Sequence, residues 1–174
     1  LNGAATVNVI KSCVPNIIDP WKLPSIDLDA ILIGIRIATY GETLDLETKV
    51  PGSGEDKTFA VDLRKILNQL VTAEFEDELS IGDFRISLQP LSYRQFTDTS
   101  LKTFEEQRIF NTVNDDELPD ADKLARFADS FQKLTDITIN MMSHGIKSIT
   151  VGDTVVTDPN HIAEFIDNVE KSIY

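Results

Sequence analysis

Apolar and polar residues alternate on both sides of a short loop, VPGSGEDK, in the first half of the chain. Before the loop, Leu44 and Leu46 lie on one side of the pattern and charged residues on the other. After the loop, Phe59 and Val61 repeat the same period of two. Such alternation is typical of half-buried strands. The sequence therefore predicts an antiparallel hairpin at about residues 43–63.

The loop of this hairpin has the shape of a metal-binding knuckle, but it contains no Cys or His. Pro51 fixes the φ angle at the start of the loop, and Gly52 and Gly54 are free to adopt the positive φ that a tight turn requires. We expect strand pairing alone to hold the hairpin together, without a metal ion.

Two further pairs of strands are predicted in the second half of the chain. At about residues 74–89, FEDEL pairs with DFRISLQ through a turn at Ser80-Ile81-Gly82. At about residues 147–157, SITV pairs with TVVT through Gly152-Asp153, a two-residue turn of the kind that hairpins prefer.

A long apolar run, ILIGIRIA, is compatible with either a strand or a helix. We favour a helix at about residues 25–40, buried on most sides, because Ser25 or Asp27 can cap its start and Gly41 can end it. Arg36 would then lie among apolar neighbours and would need a carboxylate or carbonyl partner, since an unpaired buried charge is costly. A structural ion pair is the favoured interpretation.

Three more helices are expected later in the chain. The first begins at a capping box formed by Ser92 and Gln95, in a stretch that accommodates one helix or two short ones. In the second, apolar residues from Leu124 to Met141 form one stripe along the helix. The third begins at a DP dipeptide, which suits a helix cap followed by a first turn. Their predicted ranges are about residues 92–113, 120–143 and 159–173.

Helices and hairpins thus alternate along the chain without a strand-helix-strand rhythm. The predicted fold class is α+β, with antiparallel β-hairpins interleaved with amphipathic helices. A length of 174 residues, without repeats or a flexible linker, predicts a single compact domain over residues 1–174. Because the chain does not begin with Met, we expect it to be part of a longer protein.

The acidic composition narrows the range of partners. The chain has 16 Lys and Arg against 29 Asp and Glu, a formal net charge of -13. Such a surface repels phosphate groups and anionic lipids, so we expect neither nucleic acid nor a membrane as a partner. No stretch resembles a signal peptide or a membrane span. The single cysteine, Cys13, allows no disulfide within the chain and indicates a reducing compartment.

No catalytic or cofactor-binding motif emerges from the sequence. The only two histidines, His144 and His161, have no nearby Cys, and there is no GxSxG elbow. GSGEDKT contains glycines, a lysine and a threonine but lacks the GxxxxGK[ST] spacing of a phosphate-binding loop. We therefore predict no catalytic residues, no cofactor and no metal, and we favour binding or assembly over enzymatic activity.

Several short patches carry a resemblance to a known family. In order, they are Arg-x-x-x-Tyr-Gly at residues 36–41, a strand, the knuckle-like loop, a strand that runs into Asp62-Leu63, and TDPNHIAEFID near the end of the chain. This order resembles the baseplate hub and hub-assembly proteins of T-even-type contractile-tailed phages. The resemblance implies a non-catalytic part of the hub, or a chaperone-like factor for hub and tape-measure proteins. It implies the host cytoplasm during assembly, with the virion tail baseplate as a further location.

In that family the loop often contains Cys-Pro-x-Cys-Gly, so its ligand positions would fall on Val50 and Ser53, which cannot hold zinc. The resemblance therefore implies the hairpin but not the metal. The candidate interaction or structural positions are Arg36, Tyr40, Gly41, Pro51, Gly52, Gly54, Met141 and Met142.

Two other classes of function remain open at this point. A small acidic host enzyme or regulatory binding protein would have a cleft lined by convergent ionisable groups. An acidic mimic of DNA would carry a stripe of negative charges at phosphate-like spacing. A shallow apolar patch without such groups would instead favour assembly through protein contacts.

Overall fold

The computed structural model describes residues 3–52, 54–112 and 119–172, and it confirms the α+β class. Helices alternate with antiparallel strand pairs along the chain, in the order that the sequence predicts. The elements are α1 (Ala4–Cys13), α2 (Leu28–Tyr40), β1 (Thr43–Lys49), β2 (Asp56–Asp62), α3 (Leu63–Thr72), β3 (Glu78–Ile81), β4 (Phe84–Leu88), α4 (Tyr93–Thr112), α5 (Asp120–Gly145), β5 (Ile146–Val151), β6 (Thr154–Val156) and α6 (Pro159–Ser172).

The chain divides into two compact units, here called the hairpin unit, residues 5–75, and the sheet unit, formed mainly by the residues from 76 onward. The hairpin unit contains most of α1 together with α2, β1, β2 and α3, and the sheet unit contains the remaining elements. That the whole chain folds as a single domain stays a prediction.

The predicted hairpin forms as β1 and β2 in the hairpin unit. Leu44 lies opposite Val61 and Leu46 lies opposite Phe59, so the alternation identified the shared face. The expectation that this face is half-buried is wrong beyond the first pair, because Leu46 and Phe59 remain exposed. These two strands form a sheet of their own, with no third strand beside them in the described part of the chain. The Lys57 ammonium lies 5.3 Å from the centre of the Phe59 ring.

The helix predicted at about residues 25–40 is also present. It is α2, preceded by a single 3₁₀ turn at Ser25–Asp27. Gly41 ends it with φ of 88°, and its N–H donates to the Ile37 carbonyl at 2.9 Å. Burial on most sides is wrong: only Leu28 is fully buried, and the following turns are partly or fully exposed. An apolar stretch of this length predicts a helix without showing how many neighbours cover it.

The sheet unit is built on a four-stranded antiparallel sheet in the order β3-β4-β5-β6. The predicted strand pair at residues 74–89 is confirmed, but its turn is not where the sequence placed it. Ser80 and Ile81 belong to β3, Ile81 pairs with Phe84, and Gly82-Asp83 forms the turn. Gly82 adopts φ of 57°, which suits a two-residue hairpin turn.

The hairpin at residues 147–157 agrees with the prediction more closely. The turn between β5 and β6 is at Gly152-Asp153, with φ of 55° at Gly152. Along β5, Leu88 pairs with Ile146 while Ser87 pairs with Ser148, so Lys147 forms a β-bulge. A bulge inserts one extra residue into a strand, and every side chain beyond it changes face.

Three helices accompany this sheet. α4 is one continuous helix, which decides against two short ones, and the Ser92 main-chain N–H donates to Gln95 Oε1 at 2.9 Å in the expected capping box. α5 packs against α4 and against α6. Its predicted apolar stripe includes well exposed side chains, because Leu124 is 70% exposed and Phe131 is 61% exposed.

The core of the sheet unit lies where α6 meets β5. Ile162 of α6 and Ile149 of β5 are buried, and the rings of Phe84 and Phe165 pack at 5.4 Å between centres. The Asp158 carboxylate caps α6 by accepting hydrogen bonds from the N–H groups of the second and third residues that follow it. These contacts hold α6 on the sheet and leave a groove beside it.

Candidate interaction surface

The groove in the sheet unit lies between one face of the sheet and helices α5 and α6, and its volume is about 850 Å³. Strands β3, β4 and β5 form one side, and α5 and α6 form the other. Its lining residues are Leu79, Ile81, Ile86, Leu88, Phe131, Leu134, Thr135, Thr138, Ile139, Met142, Gly145, Ile146, Ile149, Phe165 and Ile166. None of these side chains is ionisable.

The bulge at Lys147 gives β5 its contribution to this groove. Ile146 and Ile149 are three residues apart, so in a regular strand their side chains would lie on opposite faces. The extra residue at Lys147 brings both side chains to the groove, where Ile149 lies beside its cross-strand partner Ile86. One irregularity therefore makes the β5 side of the groove apolar.

The two threonines in the lining do not make the groove polar. Thr135 Oγ1 donates to the Phe131 carbonyl at 3.1 Å, and Thr138 Oγ1 donates to the Leu134 carbonyl at 2.8 Å. Because each hydroxyl is bonded within α5, these side chains offer little hydrogen-bonding capacity to a ligand. The groove thus presents a continuous apolar surface.

A second, smaller pocket of about 140 Å³ in the sheet unit includes ionisable side chains. Asp98, Lys102 and His144 are among its lining residues, and they come from α4 and α5. His144 Nδ1 lies 2.8 Å from the Asn140 carbonyl, a contact within its own helix. Substrate pockets usually enclose about 300–1,000 Å³, so this pocket suits a few water molecules better than a substrate.

In the described part of the chain, the pKa values of Lys133 and Asp158 are shifted, and each shift has a structural cause. A hydrogen bond and the charge of Asp129, with a contribution from Glu106, raise the pKa of Lys133 above 10.5. The hydrogen bond from the Asn160 main-chain N–H lowers the pKa of Asp158 below 3.8, with a smaller contribution from the next residue. One shift reflects mainly an ion pair within α5, between Lys133 and Asp129 at 2.8 Å, and the other a helix cap, so helix structure accounts for both.

The residues predicted around Arg36 form a local helix end. Arg36 Nη1 donates to the Gly41 carbonyl at 3.4 Å, and the guanidinium carbon lies 4.7 Å from the centre of the Tyr40 ring. Tyr40 is 78% exposed. The expected ion pair is wrong: no described carboxylate lies within ion-pair distance of Arg36, and the partly exposed guanidinium uses a carbonyl and an aromatic ring instead.

The loop residues occupy the tip of the β1–β2 hairpin. Gly52 and Gly54 adopt φ of 97° and 71°, as predicted, and Pro51 precedes them in the turn. The Gly54 N–H donates to the Val50 carbonyl at 3.1 Å, and the Val50 N–H donates to the Glu55 carbonyl at 2.9 Å. Ser53, the other knuckle position, lies outside the described residues. Main-chain hydrogen bonds therefore close this loop.

The two methionines of α5 have different surroundings. Met142 lines the groove, whereas Met141 lines the small pocket, and both are exposed. Of the positions proposed from the sequence, only Met142 belongs to the groove, and the hairpin residues belong to the other unit. Sequence reasoning missed Leu79 and Ile81, whose alternation in the segment ELSI was the available signal.

Within the ranges 3–52, 54–112 and 119–172, no group of three or more His, Cys, Asp and Glu side chains is arranged to hold a metal ion. None of the helices described by the structure combines the length and the apolar composition needed to cross a membrane.

Comparison with known proteins decides the family. The family model described as T4 bacteriophage base plate protein matches residues 3–174. The chain belongs to this family. Baseplate membership confirms the resemblance to T-even-type phage proteins, assigns the protein to the tail of the virion, and gives it other baseplate proteins as associates. No curated protein and no solved structure matches this baseplate protein significantly.

Proposed function

We propose that this baseplate protein is a non-enzymatic hub component or hub-assembly factor that acts through protein–protein contacts. Its partners are hub and tape-measure proteins of the same phage, which it meets in the host cytoplasm during assembly. The observation that carries the proposal is the apolar groove of the sheet unit, lined without one ionisable side chain.

The chemistry of the groove favours a protein segment over a substrate. Sites for small molecules combine apolar walls with a few polar groups that fix the orientation of the ligand. This groove offers no such group, because its threonine hydroxyls are bonded within α5. A row of apolar side chains from a partner needs only shape and burial, which a wide apolar groove supplies.

Exposed apolar side chains in the lining of the groove support the same interpretation. Phe131 and Met142 line it and remain exposed in the free chain. Aromatic residues and methionine are enriched in protein interfaces, where burying them on association is favourable. Large apolar surfaces on a soluble protein commonly mark interaction sites.

The alternative functions have weaker support. Membership of a phage baseplate family argues against a host enzyme or regulatory protein. The pockets of the sheet unit that do include ionisable side chains are smaller than the groove, at about 140, 370 and 510 Å³. An acidic mimic of DNA would bind through its charged surface, so that function would not explain the wide apolar groove.

Co-expression with the hub and tape-measure proteins of the same phage tests the proposal. We expect the tagged chain to recover at least one of them, and Phe131→Gln to reduce the recovery about tenfold, as for a central aromatic contact. Leu124→Gln is the matched control, because Leu124 is exposed on the same helix but does not line the groove. If the wild-type chain recovers none of these proteins, the proposal is wrong.

A further inference from the structure

We propose that the outer edge of β3 is a docking strand. An extended segment of a partner protein, with alternating apolar and basic residues, pairs with this edge as a fifth strand and places its apolar side chains on the groove side of the sheet. The inference rests on the proposed function and specifies how the partner binds.

The first support is the direction of the main-chain groups of β3. The Leu88 N–H donates to the Asp77 carbonyl at 2.7 Å, and hydrogen bonding alternates along an antiparallel pair. Leu79 and Ile81 therefore direct their N–H and carbonyl groups toward β4. Glu78 and Ser80 direct theirs away from it, to an edge that has no strand partner in the described part of the sheet. A segment laid along this edge would find unpaired donors and acceptors.

The second support is that this edge continues into the groove. The side chains of Leu79 and Ile81 line the groove, although they are 46% and 55% exposed. A strand added to a sheet lies about 4.8 Å from its neighbour, and its alternate side chains share a face with those of that neighbour. Every second residue of the docked segment would therefore lie beside Leu79 and Ile81 on the groove side of the sheet. Main-chain pairing would give affinity, and the groove would select apolar residues.

The third support is charge, which defines the chemistry of the segment. Glu76, Asp77 and Asp83 flank the strand and are exposed, and Glu78 lies within it. The nearby cation, Arg85, is engaged by Glu78 at 3.0 Å. Basic residues in the partner would complement this edge, both in steering the encounter and in the bound state.

The same charges disfavour a second copy of this chain as the occupant. Pairing β3 with β3 would bring the acidic flanks of two copies together, which is unfavourable. The opposite edge of the sheet is a weaker candidate, because no residue of β6 lines the groove, whereas Leu79 and Ile81 of β3 do.

A pair of proline substitutions separates the two edges. Ser80→Pro removes an outward N–H from β3 without removing a hydrogen bond to β4. Val155→Pro does the same on β6, because Val155 occupies the equivalent position beside its hairpin turn. Thermal unfolding of both variants first checks that each remains folded. They then differ only in which edge of the sheet is blocked.

The probe is a fluorescein-labelled peptide, Lys-Val-Lys-Val-Lys-Val-Lys, titrated by fluorescence anisotropy against the full chain. We expect Ser80→Pro to weaken binding about tenfold and Val155→Pro to weaken it less than about twofold. A peptide of the same composition with its valines in one block should bind less tightly than the alternating one. Equal binding of the two peptides, or of Ser80→Pro and wild type, would mean that charge attraction alone was measured and would overturn the proposal.

Co-expression with the hub and tape-measure proteins of the same phage distinguishes this inference from the proposed function. If wild type and Ser80→Pro recover hub proteins equally, the docking strand is wrong while the proposed function stands. If wild type recovers none, the proposed function itself fails. Concentration-dependent self-association that Ser80→Pro removes, measured by sedimentation velocity, would assign the edge to a second copy and would also overturn the inference.

Discussion

Replacing Ile162 with alanine should destabilise the sheet unit more than any change on its surface. Ile162 lies in α6, its side chain is completely buried, and it belongs to the small set of fully buried apolar residues in the described structure. The substitution leaves the Asp158 cap of the helix intact, so it tests the packing of α6 on the sheet.

The magnitude follows from what is removed. Three carbon atoms leave the core, which costs roughly 2.4 kcal/mol at about 0.8 kcal/mol each. Alanine favours the helix by roughly 0.4 kcal/mol relative to isoleucine, which offsets part of the cost. The neighbouring Phe165 and Ile166 border the open groove, so the site can relax and the added cavity term should be small. We expect a loss of about 2–3 kcal/mol.

Urea unfolding followed by circular dichroism measures this loss. With a slope of about 1.5 kcal/mol per molar urea, the midpoint should fall by about 1.3–2 M. Val155→Ala is the control, because it removes carbon atoms from an exposed side chain and should change the free energy of unfolding by less than about 0.5 kcal/mol. Equal midpoints for the two variants would show that α6 does not depend on Ile162 for its packing.

Three further predictions concern a helix cap, two glycines and the absent metal. The cap hydrogen bonds lower the pKa of Asp158, so its ionised carboxylate stabilises the folded state above pH 3.8, and this contribution is lost as the pH falls through the lowered pKa. In Asp158→Asn, the free energy of unfolding should therefore fall less steeply with pH in this acidic range, as measured by urea unfolding at a series of pH values. Gly52→Ala should lower the free energy of unfolding by about 1–2 kcal/mol, because Gly52 has φ of 97°. Gly34→Ala should raise it by about 1 kcal/mol, because Gly34 lies in a helix and no atom is within 4 Å of the new Cβ. Unfolding temperatures that shift in the same direction in both variants would contradict this reasoning. Elemental analysis should find no stoichiometric zinc, and a chelator should leave the unfolding temperature unchanged.

Features determined by neighbouring residues could be predicted from the sequence. The register of β1 with β2 follows from alternation, and the turn at Gly152-Asp153 follows from turn chemistry. The start of α4 follows from the capping box of Ser92 and Gln95. Each of these signals spans only a few residues, and the physical cause acts over the same distance.

Whether the apolar faces of the β1–β2 hairpin and of α5 are buried could not be predicted in the same way. Alternation showed that Leu46 and Phe59 share a face, and helical spacing placed Leu124 and Phe131 on one stripe, yet all four side chains are exposed. A periodic pattern identifies an apolar surface, but whether another part of the same chain or a partner covers it depends on tertiary structure.

The groove depends on a β-bulge, which leaves little trace in the sequence. Ile146 and Ile149 belong to opposite faces by simple counting, and only the bulge at Lys147 brings them together. Arg36 shows the converse error, because apolar neighbours along a helix suggested a buried charge, whereas the side chain reaches the exposed helix end at Gly41. Long side chains often extend from apolar surroundings to a polar contact in this way.

The isolated two-stranded hairpin has a practical consequence for following assembly. Two strands without a covering layer are marginally stable in water, so this ribbon should open locally far more often than the sheet unit unfolds. Lys49 and Lys57 are exposed on either side of its tip, where trypsin can cleave once the strands separate. The ribbon can therefore serve as an internal reporter: the rate of cleavage there, compared between the free chain and the assembled baseplate, records whether a partner has bound and ordered it.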